Sequence, residues 1–219
     1  MHKRIVTGLA VLFIGITLYA INRGISKISL KHSAMKFSEK QDTFMNGDLV
    51  FQTSVEGQGR AIQLATGSVF THVGVIFRVN GEWKVYEAVE PVQCVPLSEF
   101  TERGDSGKYT VMRLKNRDSL LSDGRLALMK SYLEQQMNKH YDPYFSWDDN
   151  SMYCSELVWK SYNKTGLKLS ELRKLKSFDL SSETVKEIIK QRYGKKIPYQ
   201  ENVVSPEDIY QSSLLYKVK

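Results

Sequence analysis

Two alternating, β-rich runs, "THVGVIFRV" (71–79) and "EWKVYEAV" (82–89), meet at Asn80-Gly81. Asn-Gly between such runs predicts a hairpin closed by a type I′ turn. A two-residue turn pairs Val79 with Glu82, and that pairing fixes the register of both strands. In this register His72 faces Val89 and Gly74 faces Glu87. Side chains alternate along a strand, so His72, Gly74, Glu87 and Val89 share one face, and Val73, Val75, Phe77, Tyr86 and Ala88 share the other. The second set predicts a core surface. The first makes His72 and Glu87 diagonal neighbours, about 7–8 Å apart at the backbone, with Gly74 expected to leave open space on that face.

An imidazole beside a carboxylate supplies two of the three groups a thiol enzyme needs, so the cysteines matter. There are two, Cys94 and Cys154. Cys154 lies in "MYCSELVWKSY" (152–162), just ahead of an apolar, helix-like run, where the helix dipole favours a thiolate. A free cysteine is equally at home as a small buried hydrophobe, and a strand histidine is commonly structural. The residues alone therefore leave two readings: a Cys154–His72–Glu87 triad, or three packed side chains. A Cys94–Cys154 disulfide would abolish the nucleophile, and an unpaired, packed Cys94 is the expectation. A zinc reading of Cys94, Cys154, His72 and His140 lacks paired-ligand spacing. Thiol chemistry calls for no metal and no organic cofactor.

The 219 residues suffice for one domain with a real core, and 42% hydrophobic with 25% charged residues is a globular composition. The formal charge of +7 does not spread over the chain. Residues 1–31 carry Lys3, Arg4, Arg23, Lys27 and Lys31 and no acidic residue, which leaves only +2 for the remainder and no electrostatic case for a nucleic-acid partner. Lys3 and Arg4 precede the uncharged run "IVTGLAVLFIGITLYAI" (5–21), the pattern of a signal peptide or a signal anchor. Leu18 stands where cleavage prefers a small residue, which favours an uncleaved hydrophobic helix in a membrane and an exported body, either anchored or secreted. Residues 1–21 are then the signal segment, 22–41 a polar stalk and 42–219 the folded domain.

Within that domain "GDLVFQTS" (47–54), "KYTVMRLK" (108–115) and the final "LLYKVK" read as strands. "GRAIQLATGS" reads as a short helix ending at Gly67, and Leu120 to about His140 as a longer one, with Leu126, Met129, Leu133 and Met137 near helical spacing. "YDPYFSWDDNS" is an aromatic loop leading into the Cys154 helix, with Asp149, Asn150 or Ser151 as candidate N-caps. Asp142, Trp147, Asp148 and Asp149 in it are candidates to shape a pocket beside Cys154. "SSETVKEIIKQRY" and "SPEDIYQSS" add helices. The basic clusters "ELRKLK" and "KQRYGKK" read as solvated helix faces.

At these residues the chain resembles the circularly permuted branch of the NlpC-type papain-like superfamily, specifically its YiiX-type members. Non-permuted members run cysteine helix, "GDLVFF" strand, "HVGIY" strand; here "GDLVF" (47–51) and "HVGVIF" (72–77) come first and "YCSELV" last. "QLATGS", "VYEAVEPVQ" and "YDPYFSWDDNSMYCSELV" carry the likeness further, over roughly residues 45–165. The resemblance implies an α+β, permuted papain-like fold, with an antiparallel sheet packed against helices. It implies Cys154 as nucleophile, His72 as base and later acid, and Glu87 as the residue orienting the imidazole. Tyr153, Trp147 and Gln93 are the expected substrate-side residues. The implied activity is cysteine-dependent amide hydrolysis, on peptidoglycan stem peptides or muropeptides; an acyltransferase or lipid (thio)esterase is the alternative, and a non-catalytic binding module a third.

Overall fold

The computed structural model describes residues 44–54 and 58–219. The expected signal segment and stalk lie outside the described residues. All elements below fall in Met45–Lys219, one of the two units into which the chain divides. They begin with β1 (Leu49–Gln52), α1 (Gly59–Thr66), β2 (His72–Val79), β3 (Glu82–Glu87), β4 (Gln93–Pro96), α2 (Leu97–Glu102) and β5 (Tyr109–Leu114). After these come α3 (Arg117–Leu120), α4 (Asp123–Gln136), α5 (Cys154–Asn163), β6 (Arg173–Lys174), α6 (Glu183–Tyr193), β7 (Asn202–Val203), α7 (Pro206–Tyr210) and β8 (Leu215–Lys217).

The β2–β3 hairpin has the register that its turn dictates: Val79 opposite Glu82, Phe77 opposite Lys84, Val75 opposite Tyr86. Asn80 (φ 52°) and Gly81 (φ 84°) both sit in the left-handed region, as a type I′ turn requires. The hairpin lies in a six-stranded antiparallel sheet of order β4-β3-β2-β1-β5-β8, and β6 and β7 form a separate ribbon. The "GD" ahead of β1 is structural. Asp48 is buried and accepts from Arg113 Nε and Nη2 (2.7 Å each), joining the start of β1 to β5. An ion pair inside a protein is tolerable only with such complete hydrogen bonding.

One sheet face is the main core. Leu49, Phe51, Val73, Val75, Phe77 and Tyr86 point there and meet Leu157 and Val158 of α5 and Met129 and Leu133 of α4. The other face was expected to be open at Gly74 and is not. Val50, Ile76, Val85 and Val95 are buried there, with Leu97 and Phe100 of α2 packed over β3 and β4. A Cβ built on Gly74 would overlap Val85 Cγ1 and lie 2.9 Å from the Tyr86 carbonyl oxygen, with Phe100 Cε2 at 3.5 Å. Gly74 permits close packing; it does not create a gap.

The helix expected over 120–140 is shorter at both ends. It begins at Asp123 after the separate turn α3, and it stops at Gln136. Asn138 then adopts φ 65°, and residues 138–139 pair with Val92 instead (Asn138 N–Val92 O and Val92 N–Lys139 O, both 2.9 Å). That pairing leads the chain out of α4 toward Cys154.

Gly74→Ala should lower unfolding free energy by about 1–3 kcal/mol, the usual cost of overpacking. Urea denaturation followed by tryptophan fluorescence would measure it, and an unchanged midpoint would show that β3 can move aside.

Candidate active site

Cys154 is the first residue of α5 and is buried. None of Asp149, Asn150 or Ser151 caps that helix. The N-cap is Tyr153, because Tyr141 and Met152 form a parallel β-bridge that keeps the chain extended through Met152 (Met152 N–His140 O and Asp142 N–Met152 O, both 3.0 Å). Glu156 reaches back to the Tyr153 N–H (3.3 Å), the return half of a capping box. Lys160 Nζ sits 2.7 Å from the other Glu156 oxygen. Ser155 Oγ donates to Val204 O (2.7 Å), while the Val204 N–H donates to the Tyr153 hydroxyl (3.2 Å). The residues flanking Cys154 thus fasten the helix start to the segment ahead of α7. Asp142, also buried, accepts from the Tyr144 and Ser146 N–H groups (2.8 and 2.6 Å), which pins the aromatic loop.

His72 opens β2, and its Nε2 lies 2.7 Å from Glu87 Oε2. The imidazole stacks on Phe100 (centroids 5.4 Å, planes 22° apart). Glu87 has no exposed surface. Its second oxygen accepts from Gln93 Nε2 (2.9 Å) and from Arg103 Nη2. Burial alone would raise this carboxyl; His72 first, then Arg103 and Gln93, hold it below the ordinary carboxylate value. Burial opposes charge on His72 too. Hydrogen bonding with Cys154 and with Glu87, and the charges of both, outweigh it and raise the imidazole to about 9.

Two cavities meet at Cys154. A cleft of mixed polarity, about 580 Å³, is lined by Cys154, His72, Gln52, Thr71, Glu102, Arg103 and Tyr141, with Ile62, Ala88 and Val89 among its apolar walls. A narrower pocket of about 100 Å³ lies between α1 and α6, walled by Ala61, Ile62, Ala65, Val185, Ile188 and Ile189, with Tyr153, Phe145 and Phe178. Its lining is almost wholly apolar, and Arg192 is the charged side chain in it. Gln58 and Tyr141 border both spaces and are hydrogen-bonded to each other (Nε2–Oη 2.5 Å); Gln58 also accepts from Arg192.

The structure therefore brings Cys154, His72 and Glu87 together. Tyr153 lines the apolar pocket. Gln93 uses its amide on Glu87 and lines neither cavity. Trp147 also lines neither; it packs edge-on against Trp159 (5.3 Å) beneath Lys160 (4.9 Å). Asp149 pairs with Lys160 at 2.9 Å, away from the thiol. Cys94 is unpaired, and across the β3–β4 ladder it stands opposite Tyr86, on the face away from Glu87. Arg103, Tyr141 and Gln58 were not anticipated. Arg103 follows α2 in an unpatterned loop, and only the fold brings it to Glu87.

A family model described as "Permuted papain-like amidase enzyme, YaeF/YiiX, C92 family" matches residues 43–219. The "Uncharacterized protein YiiX" of Escherichia coli (strain K12) is 42% identical over 193 residues, covering 87% of this chain and 92% of that protein. The crystal structure of "metalloprotein yiiX" from Escherichia coli O157:H7 superimposes with a TM-score of 0.75 at 41% identity, covering 80% of this chain and 96% of that one.

A histidine raised from 6.5 to about 9 contributes stability that is complete below pH 6.5 and is lost as pH rises through 9. Unfolding free energy should therefore decline across this window, by at most about 3 kcal/mol. Glu87→Gln should flatten the decline. Denaturation midpoints at pH 6.5 and 9.5 for both proteins test this; equal slopes would refute it.

Proposed function

The chain belongs to the permuted papain-like amidase family and is a cysteine hydrolase; on that premise we propose that Cys154, His72 and Glu87 are its catalytic triad. The observation that carries the reading is the buried His72–Glu87 pair opening onto the same cleft as the thiol at a helix start. In this mechanism His72 and Cys154 exist as an imidazolium–thiolate pair. The sulfur attacks the acyl carbon of an amide, and the backbone N–H of Cys154, at the helix N-terminus, stabilises the oxyanion. The C–N bond then breaks as the His72 proton moves to the departing nitrogen. Water next attacks the thioester, His72 takes its proton, and the acid leaves with the thiolate restored. Glu87 keeps the imidazole in one orientation throughout.

Two substrates compete for this site. Peptidoglycan stem peptides, which the sequence favoured, would bring several carboxylates and peptide groups. The space beyond Cys154 on the α1–α6 side has almost no polar lining to receive them. Desolvating such groups without partners costs free energy, whereas an aliphatic chain gains by burial there. The pocket therefore favours an amide with an aliphatic acyl part. The apolar run at 5–21 supports an exported, membrane-anchored enzyme, for which an acyl lipid is a local substrate.

The similar protein of Escherichia coli O157:H7 is described as a metalloprotein. Among the described residues here, no three His, Cys, Asp or Glu side chains gather to hold a metal ion, and both Glu87 oxygens are already bonded. This donor set does not fit a metal centre, and no step runs through one.

The full chain should hydrolyse N-decanoyl amides faster than muropeptides, and Cys154→Ala and His72→Ala should each cut turnover by about 10³-fold or more. Iodoacetamide should alkylate Cys154 in the folded wild type. Full activity in Cys154→Ala would end the reading, and preference for muropeptides would restore the cell-wall substrate.

A further inference from the structure

If His72 protonates the departing nitrogen, the amine half of the substrate must sit where His72 opens. His72 lines the larger cleft and not the apolar pocket, so the cleft receives the amine and the pocket the acyl chain. One charged group in the cleft has hydrogen-bonding capacity to spare. Arg103 gives Nη2 to Glu87 and Nε to the Glu99 carbonyl (3.4 Å) while lying over Phe100 (5.8 Å), which leaves Nη1 without a protein partner among the described residues. Its side chain is 37% exposed, so Nη1 is within a ligand's reach. Gln52 also borders the cleft, but its amide oxygen is buried against Gly104, so Arg103 is the group that a ligand can reach.

We propose that the cleft selects amides whose amine half is an amino acid or short peptide with a free carboxylate, bound by Arg103. This rests on the triad reading above. A planar guanidinium with one arm committed to Glu87 still offers a second donor edge to a carboxylate. A single negative charge also suits the surroundings. Glu102 lines the same cleft and Glu87 lies behind Arg103, so a dianionic phosphate would meet repulsion that a carboxylate meets in smaller measure. Arg103 then has two contacts at once: it holds the carboxylate that orients His72, and it marks the substrate whose nitrogen His72 protonates.

The test uses the full chain with N-decanoylglycine and N-decanoylglycinamide, which share an acyl chain and differ only in the carboxylate. Wild type should show a kcat/KM ratio of about tenfold or more in favour of the acid, mainly through KM. Arg103→Gln lowers both rates through Glu87, but the ratio should fall to near one; Arg103→Lys, which keeps the charge, should retain part of it. Equal rates on acid and amide in wild type, or a ratio unchanged in Arg103→Gln, would overturn the proposal and leave the amidase reading standing. Turnover of neither substrate, with Cys154 still alkylated by iodoacetamide, would likewise refute amino-acid amides as substrates. Failure of that alkylation would instead remove the triad on which the proposal rests.

Discussion

Glu87 has no exposed surface, and a carboxylate can stay ionised in such a place only if every lone pair that faces protein finds a donor. Here three donors come from three parts of the chain: His72 at the start of β2, Gln93 on β4 and Arg103 beyond α2. The need to satisfy one buried charge thus ties the hairpin to the strand and helix that follow it. Phe100, one turn before Arg103, fills the space beside Gly74 and supports the imidazole ring. Losing any donor would leave an uncompensated charge in a dry setting, so the surrounding geometry is held with little latitude.

The thiol is fixed by a different set of bonds. Tyr153 reads as a substrate contact from its place beside Cys154, and it shares a structural task with Ser155 and Glu156. Each mainly anchors the helix start, through Val204 or the helix backbone itself. A helix N-terminus held this firmly keeps its first N–H groups, beside the thiol, aimed at one point. Cys154 stands where a cleft and an apolar pocket meet, and Gln58 and Tyr141 form the shared wall. The two spaces on either side of the thiol therefore differ in polarity, one nearly without polar lining and the other mixed.

Much of this was legible in the sequence. The Asn80-Gly81 turn has one favoured geometry, and with it the hairpin register, the core face from Val73 to Ala88, and the meeting of His72 with Glu87 followed from alternation alone. The motif order supplied the Cys154 helix. Other expectations depended on contacts that no local pattern encodes. Gly74 looked like a gap because nothing in "PLSEF" announces a helix that will cover it. Trp147 looked like a pocket residue by nearness in sequence, but Trp159 and Lys160, consecutive residues in the second turn of α5, take it elsewhere. Gln93 was placed at the right site in the wrong role, because its face is set by the β3–β4 register.

By itself, then, the sequence determined whatever rests on short-range stereochemistry: the left-handed turn at Asn80-Gly81, the two-residue alternation that pairs an imidazole with a carboxylate, and the apolar period that makes 154–163 a helix. The tertiary structure decided everything that depends on long-range packing. It brought Arg103 to Glu87 from sixteen residues away, left the Gln52 amide oxygen without a partner among the described residues, and closed α6 over α1 to make the apolar pocket beside Cys154. The reason is physical. Backbone sterics act between neighbours and can be read in order, whereas the partners of a buried charge and the walls of a cavity are set by whichever distant segments fill the remaining space.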